Sequence, residues 1–410
     1  MVDSPLTRRR LLALFGAAAA APVLSACGSS VGGGTAPAPE PGAGGGGGGT
    51  VRVGLVVPLG GVYAGLGEDM KQGWDLWLAQ NGGKFGNYTV ETVEADEGET
   101  PQTGGAAVQQ VLQSDGVDIV VGIVNSAVAI NAAPLFAEAK KVLVVANAGA
   151  AAVTGANRNP YVWRASFQNA QIAAAMGTHL GGEAVPGGIF VIAPDYAAGD
   201  EVISGFSTAY EAAGGTIAGT VKPPFGSTTD YQPFLTQIQQ SGAGGTFCFF
   251  SGAEALSFVT QYEQFGLKAT TPLYGSGFLT EGDVLQRQGP SAVGVQTTLH
   301  YSSALDNPAN QAFASAYEAE YGEPPTTFAM QTWDSANVLN RALATATALD
   351  GDSVSAALGG IGTVDDSPRG PWTFEGQSPL QNIYLRTVEQ GGDLLVNAIT
   401  EDLGQQGQVA

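Results

Sequence analysis

Short apolar runs rich in β-branched residues alternate with helical patterns through most of this sequence. The clearest example lies between residues 117 and 150, where apolar runs at 118–122 and 142–145 enclose one helical segment. Such runs are typical of strands that are buried on both faces of a parallel sheet. The alternation predicts an α/β protein in which helices cover both faces of parallel sheets.

Each of these two runs ends in small or polar residues, which are Asn125-Ser126 after the first and Asn147-Ala148-Gly149 after the second. In an open parallel sheet, ligands bind at the carboxyl ends of the strands. Small residues leave backbone N–H groups accessible there, and the helix that begins near Ser126 presents a dipole end that favours a carboxylate. The pattern predicts half of a binding cleft; the alternative is that both turns only reverse the chain and Ser126 caps its helix.

The alternation forms two βα series, at residues 51–164 and 170–295, and each is close to the usual size of a domain. Two sheets of this kind imply a cleft between them. We therefore expect an α/β protein of two doubly wound, parallel-sheet lobes. The first lobe is expected to contain residues 51–168 and 303–350, and the second lobe residues 169–302 and 351–400.

The N-terminal segment has the pattern of an export signal followed by a tether. Residues 1–27 combine three successive arginines, a short apolar run and the tetrapeptide Leu24-Ser25-Ala26-Cys27, which resembles a bacterial lipobox. Cleavage before Cys27 would leave a lipidated cysteine that anchors the protein to the membrane outside the cytoplasm. The arginines suit either the twin-arginine or the ordinary secretory route. Residues 28–50 are rich in Gly, Pro, Ala and Ser, which predicts a flexible tether.

The charge balance restricts the partners that can be expected. The sequence contains 37 acidic and 16 basic residues, for a formal net charge of −21. Because no basic cluster is left to contact phosphates once residues 1–26 are removed, nucleic acid is not an expected partner. The acidic residues are scattered, which favours a role in solubility. Once Cys27 carries a lipid, Cys248 alone remains, so no structural disulfide is expected.

Known catalytic and metal-binding patterns do not assemble in this sequence. His179 and His300 are distant from each other and lack Cys or carboxylate neighbours at ligand spacing, which argues against a metal site. The segment around Ser276 lacks the spacing of a nucleophile elbow, and the glycines at 60–67 match neither a dinucleotide loop nor a P-loop. We therefore expect a binding protein without a cofactor, and not an enzyme.

Several short motifs in a fixed order carry a family resemblance. They are VGLVVPLGG at 53–61, Asp195-Tyr196, TDY at 229–231, QFGL at 264–267 and GPWTF at 370–374. Together they resemble the leucine/isoleucine/valine-binding branch of the type I periplasmic binding proteins, over residues 51–395. The resemblance implies two α/β lobes joined by a three-strand hinge, a ligand enclosed by hinge closure, and delivery of the ligand to an ABC permease. A monomer is expected.

The resemblance also implies which residues contact the ligand. In the first lobe the family's contacts fall on Tyr63, Leu66, Ser126, Ala148 and Gly149, and in the second lobe on Asn169, Tyr196 and Ser276. The family's first-lobe positions hold a ligand carboxylate through a hydroxyl and backbone N–H groups. Ser126 keeps the hydroxyl, whereas Gly149 stands where the family often has Thr.

The residue at position 276 departs from the pattern of amino-acid binders, where this position is usually acidic and neutralises the α-ammonium. A desolvated ammonium without a carboxylate partner would cost several kcal/mol. Asp195, Glu254 and Asp283 are candidates for that partner.

The expected ligand is an amino acid of the branched-chain type or a related small carboxylate or amide. Two alternatives stay open, an aromatic acid in the same site and a ligand-sensing receptor of the same fold. Tyr63 and Tyr196 are expected as apolar walls. Phe328 and Trp333 are further candidates, although their helical spacing is equally typical of core packing.

Overall fold

The computed structural model describes residues 48–155 and 158–409. The predicted signal, Cys27 and all but the last residues of the predicted tether lie outside these ranges. Within them, no helix combines the length and the apolar character needed to cross a bilayer. The described residues form two α/β lobes, each built on one sheet, as the alternation of strands and helices predicts.

Six strands form the first sheet, namely β1 (Thr50–Val57), β2 (Lys84–Phe85), β3 (Tyr88–Asp96), β4 (Ile119–Gly122), β5 (Val142–Val145) and β6 (Val162–Arg164). Their order is β2-β3-β1-β4-β5-β6, and every neighbouring pair is parallel except β2 with β3. Residues 161–165, which the sequence suggests to be an extended connection, thus contain the edge strand β6.

Helices cover both faces of this sheet, and the alternation of side chains along β4 shows why. Val120 points to the face covered by α2 (Pro101–Gln113) and α3 (Ser126–Ala139), whereas Ile119 and Val121 point to the opposite face. The opposite face is covered by α1 (Ala64–Gln80) and by helices from late in the chain. Burial on both faces explains why β4 and β5 are continuous apolar runs.

Eight strands form the second sheet, namely β7 (Ile189–Ile192), β8 (Ile217–Val221), β9 (Gly245–Cys248), β10 (Leu273–Ser276), β11 (Gln296–Leu299), β12 (Thr373–Glu375), β13 (Ser378–Gly391) and β14 (Leu394–Gln406). Strands β7 to β11 pair in parallel, and β12 to β14 add an antiparallel edge. The helices of this lobe are α5 (Asn169–Gly181), α6 (Ala197–Ala212), α7 (Gln232–Ser241), α8 (Gly252–Gln264) and α9 (Asp283–Gln288). The short α4 (Ala151–Thr154) belongs to the first lobe.

The late helices α10 (Pro308–Tyr321), α11 (Thr327–Leu343) and α12 (Gly351–Gly359) pack with the first lobe. For α12 this differs from the expectation that residues 351–400 belong to the second lobe. Two contacts hold α12 beside β6: the indole N–H of Trp163 donates to Ser355 at 2.9 Å, and the Tyr161 hydroxyl donates to Asp352 at 2.7 Å. The chain therefore returns to the second sheet after α12 and not before it.

The chain passes between the lobes three times, after β6, after β11 and between α12 and β12. Arg369 joins the third crossing to the first crossing and to α11. Its guanidinium donates to the buried Asp334 of α11 at 2.7 Å and to the carbonyl of Ser166, on the first crossing, at 3.1 Å. The residues after β14 lie against the first crossing, where Val409 N–H donates to Gln168 at 2.6 Å.

Candidate functional site

A cavity lies between the lobes, at the carboxyl ends of strands from both sheets. The chain reverses its direction of strand addition between β1 and β4 in the first sheet and between β7 and β9 in the second. Ligands of open α/β sheets bind outside such positions. The lining residues come from the loops and helix starts that follow these strands, and from the first crossing: Tyr63, Leu66, Val124, Ser126, Asn147, Gly149, Phe167, Asn169, Tyr196, Ala198, Phe249, Ser251 and Phe278.

The structure represents a closed arrangement of the lobes. The hydroxyls of Tyr63 and Tyr196 are 3.0 Å apart, and the Asn169 amide donates to Ser126 Oγ at 3.2 Å, so both contacts span the cleft. Burial raises the pKa of both phenols, and the pair is neutral. The space between the lining atoms is about 290 Å³, part of which is open to solvent. The cleft is therefore narrow in this arrangement, and the lobes must separate before a ligand can enter.

The start of α3 is built so that Ser126 faces the cavity. The buried carboxylate of Glu97 accepts hydrogen bonds from the backbone N–H groups of Val124 and Asn125, at 2.8 and 2.7 Å. The Asn125 side chain caps α3 by accepting from Ala127 N–H at 2.9 Å. The sequence left open whether Ser126 only caps its helix; Asn125 takes that role, so the Ser126 hydroxyl is available to the cleft.

Gly149 lines the cavity, whereas Ala148 lies behind it. The Ala148 carbonyl accepts a hydrogen bond from Arg164 at 3.3 Å. Because C=O and N–H point in opposite directions in a trans peptide, the Gly149 N–H faces away from Arg164. A Cβ atom at Gly149 would lie 2.2 Å from Asn169 Oδ1 and 2.6 Å from the Phe167 ring. No larger residue fits here while the lobes are closed.

Arg164 places a buried positive charge behind this loop. Its guanidinium is fully buried and also donates to the carbonyls of Phe167, at 2.6 Å, and Ala150. Among the described residues, no carboxylate lies within 4.0 Å of it. Burial lowers the pKa of Arg164 to about 10, which leaves it cationic at neutral pH. The nearest opposing charge is Glu201, whose pKa is raised by burial and which accepts from Ala151 N–H at 2.9 Å.

Aromatic rings form most of the remaining wall. Phe167 packs on Phe278 with ring centroids 4.6 Å apart, and Phe249 meets Phe278 edge to face at 6.3 Å. Tyr196 is sandwiched in a stack with Phe249 and Phe225, the latter at 4.2 Å. These contacts hold the rings rigidly, which lowers the entropic cost of enclosing a ligand.

The structure brings together six of the eight residues that the resemblance implies, which are Tyr63, Leu66, Ser126, Gly149, Asn169 and Tyr196. Ala148 lies behind the loop, and Ser276 is buried at the end of β10, outside the lining. Two residues later, Phe278 reaches the cavity. Of the other candidate walls, Phe328 is a core residue stacked on Phe278, and Trp333 donates to Gln80 on the protein exterior.

None of the candidates for an ammonium partner lines the cavity. Asp195 is half-exposed and pairs with Lys222 at 2.7 Å. Asp283 pairs with Arg287 at 3.1 Å on the surface. Glu254 accepts from the backbone N–H of Gly226 at 2.9 Å. All thirteen lining residues are uncharged.

The lining residues that the sequence reasoning missed are Val124, Phe167, Ala198, Phe249, Ser251 and Phe278. A signal for some of them was present, because Phe249 and Ser251 follow β9 and the same strand-end rule that selected Ser126 applies to them. Phe278 and Phe167 depend on how the crossing and the loop after β10 fold back, which periodicity does not specify.

A second hollow between the lobes has the wrong electrostatic character for an anion. Its lining includes four carboxylates, Asp69, Glu281, Asp283 and Glu323, and no lysine or arginine. Burial raises the pKa of Asp69 to about 8, as expected where carboxylates crowd together. A carboxylate ligand is thus directed to the cavity that Ser126 and Gly149 line.

Comparison with known proteins supports the resemblance. The sequence model of the periplasmic binding protein family matches residues 50–393. A Leu/Ile/Val-binding protein homolog 6 from Brucella melitensis is 31% identical over 351 residues, which span 84% of this chain and 88% of that protein.

Solved structures of solute binding proteins resemble this chain over most of its length. A solute binding protein of an ABC transporter from R. palustris, solved in complex with benzoate, is 33% identical with a TM-score of 0.81, over 87% of this chain and 97% of its own. Another from the same organism, solved with 4-hydroxybenzoate, is 29% identical with a TM-score of 0.82, over 88% and 98%. Fold, cleft and sequence similarity agree, and the chain belongs to the periplasmic binding protein family, as an extracytoplasmic type I protein of the leucine/isoleucine/valine-binding branch and of the ABC transporter type.

Proposed function

We propose that this protein captures a small aromatic carboxylate of the benzoate class between its lobes and delivers it to an ABC importer. The observation that carries the proposal is the composition of the cavity wall. Five aromatic rings line it, and none of its lining side chains is charged. This wall offers apolar surface for a flat ring and leaves an ammonium group without a partner.

The uncharged wall favours an aromatic acid over an amino acid. An α-ammonium enclosed in this cleft would lose its hydration and gain no carboxylate, at a cost of several kcal/mol. A ring between Phe167, Phe249 and Phe278 would instead bury its faces and edges against other rings, an arrangement worth about 0.5–1.5 kcal/mol per pair beyond the area buried.

The ligand carboxylate is expected at the first-lobe end of the cavity. The Ser126 hydroxyl and the Gly149 N–H are donors there, the dipole of α3 favours negative charge, and the charge of Arg164 lies behind the loop. The α3 N-terminus alone would not select an anion, since Glu97 and Asn125 occupy several of its N–H groups. Arg164 supplies the additional positive potential.

Closure of the cleft couples ligand capture to a change in shape. The Tyr63–Tyr196 and Ser126–Asn169 contacts join the lobes beside the ligand. A ligand that contacts both lobes stabilises the closed form over an open one and shifts the population accordingly. The relatives solved with benzoate and 4-hydroxybenzoate support this class of ligand.

Titration calorimetry of the purified protein with benzoate, benzamide, leucine and isoleucine tests the proposal. We expect benzoate to bind most tightly and to raise the free energy of unfolding by about 2.7 kcal/mol at a hundredfold excess over its Kd. Tighter binding of leucine or isoleucine than of benzoate would contradict the proposal and would require a carboxylate partner for the ammonium.

The same proposal includes a lipid anchor at Cys27, supported by the order of charged, apolar and small residues that precede it. Replacement Cys27→Ser should move the protein from the membrane fraction to the soluble fraction of the exporting cell. Retention of the variant in the membrane fraction would argue against lipidation at this residue.

A further inference from the structure

We infer that Ser251 forms a subsite for a hydroxyl substituent on the ligand ring, so that the cleft prefers hydroxylated benzoates to benzoate. The inference rests on the proposed function and assigns a part of the cavity wall that the second lobe supplies. Ser251 belongs to the second lobe, whereas Ser126 and Gly149 belong to the first.

The sequence around Ser251 has the pattern of a capping box that the structure does not form. Ser251-Gly252-Ala253-Glu254 fits S-x-x-E, in which the serine accepts from the third backbone N–H and the glutamate reaches back to the serine N–H. At the start of α2 the corresponding exchange exists, and Thr100 accepts from Thr103 N–H at 3.2 Å. At the start of α8, no side chain caps the helix.

Both members of the unformed box are directed elsewhere. Glu254 Oε1 accepts from Gly226 N–H at 2.9 Å. Ser251 is 6% exposed and lines the cavity, and its Oγ has no hydrogen-bond partner in the described part of the protein. A serine that would ordinarily cap its own helix thus presents its hydroxyl to the ligand space.

A neutral hydroxyl is the substituent that fits this position. A ligand hydroxyl can donate to Ser251 Oγ, and it can accept from the Ser251 hydroxyl or from the uncapped N–H groups of α8. A second carboxylate would lie beside Glu254, which is 4% exposed and whose Oε2 also lacks a partner among the described residues. Phe249 and Phe278 share the wall with Ser251, so the substituent must be carried on an apolar ring.

Sites built to hydrogen-bond a ligand hydroxyl discriminate against analogues that lack it, because the protein group is then left unpaired. We therefore expect either 3-hydroxybenzoate or 4-hydroxybenzoate to bind at least about tenfold more tightly than benzoate, equivalent to about 1.4 kcal/mol. Methylbenzoates with the methyl group at the same position have nearly the same shape and should bind no more tightly than benzoate.

The test measures Kd for benzoate and for the hydroxy- and methylbenzoates by calorimetry, on the wild type, Ser251→Ala and Ser276→Ala. In Ser251→Ala the preference for the hydroxyl should be lost, so that the ratio of the Kd for benzoate to the Kd for the preferred hydroxybenzoate falls from about ten or more to about one. Ser276→Ala is a matched control, because Ser276 is also buried with an unpartnered Oγ among the described residues but lies outside the cavity lining. It should keep the preference.

Two outcomes would overturn the inference. One is a wild type that binds hydroxy- and methylbenzoates equally, a comparison that needs no variant to fold. The other is an equal loss for benzoate and hydroxybenzoates in Ser251→Ala, which would show that Ser251 holds the carboxylate. Failure of the proposed function would differ from both, because benzoate itself would then not bind to the wild type.

Discussion

Replacement of Arg164 by Met tests the origin of the preference for an anion. Methionine has an unbranched apolar side chain, as the stem of arginine does, but it lacks the positive charge behind Gly149. It should weaken the binding of benzoate much more than the binding of benzamide, which has nearly the same shape and no charge. Arg164 is a positioning residue, since it acts through the Ala148–Gly149 peptide and does not line the cavity.

The magnitude follows from the geometry of that peptide. Arg164 Nη1 lies 3.3 Å from the Ala148 oxygen, and a carboxylate on the opposite N–H would lie about 8 Å from the guanidinium, given ordinary hydrogen-bond lengths. At an effective dielectric constant of about 20, two unit charges at that distance interact by about 2 kcal/mol. The opposing charge of Glu201 reduces this value, so we expect benzoate to lose about tenfold more affinity than benzamide.

The assay is calorimetric titration of both ligands, with Arg386→Met as the control. Arg386 is also fully buried and hydrogen-bonds to main-chain carbonyls, but it pairs with Glu281 away from the cavity. Both variants should lower the free energy of unfolding, because carbonyls lose buried donors. Only Arg164→Met should change the ratio of the two affinities, and an equal loss for benzoate and benzamide would refute the electrostatic reasoning.

Three further changes probe the cleft and the burial of its supports. Ser126→Ala should weaken benzoate binding about tenfold or more, since a hydrogen bond to a charged group contributes about 1.5–3 kcal/mol. The melting temperature of the ligand-free protein should not change. An unaltered Kd for benzoate would exclude contact between Ser126 and the ligand. Gly149→Thr should hold the lobes apart, because the new side chain would contact Asn169, and should raise the radius of gyration measured by scattering in the presence of ligand. Gly60→Ala is the control and should not change the radius of gyration, because a Cβ atom at Gly60 would have no atom within 4 Å. Burial raises the pKa of Glu254 from 4.5 to about 7, so its contribution to stability is complete below about pH 4.5 and is lost as the pH rises to about 7. Glu254→Gln should remove that part of the pH dependence of the free energy of unfolding, measured by denaturant titration between pH 4.5 and 8, and an identical profile would contradict this.

The sequence specifies the architecture through local patterns. Buried parallel strands such as β4 and β5 are short apolar runs, and their ends locate Ser126 and Gly149 at one edge of a sheet. Periodicity does not determine which sheet a late element joins. The placement of α12 depends on two contacts, Trp163 with Ser355 and Tyr161 with Asp352. The partners in each contact are about 190 residues apart in the sequence.

The site was predictable where a residue follows a strand and carries a recognisable polar group. It was not predictable where a residue acts through the fold. Arg164 reads as an ordinary strand residue until the structure shows its guanidinium behind Gly149. Ser276 ends β10 and Ser251 follows the neighbouring strand β9, and only the three-dimensional path of the chain shows that Ser251 reaches the cavity.

The C-terminal residues join the second lobe to the first crossing and to the first lobe. Val409 and Gln168 exchange two hydrogen bonds, and Gln408 accepts from Thr154 at 2.7 Å. Beyond the three covalent crossings, these bonds form a non-covalent link between the lobes. A motion of the lobes that keeps this link must leave Thr154 and Gln168 beside the last described residues of the chain.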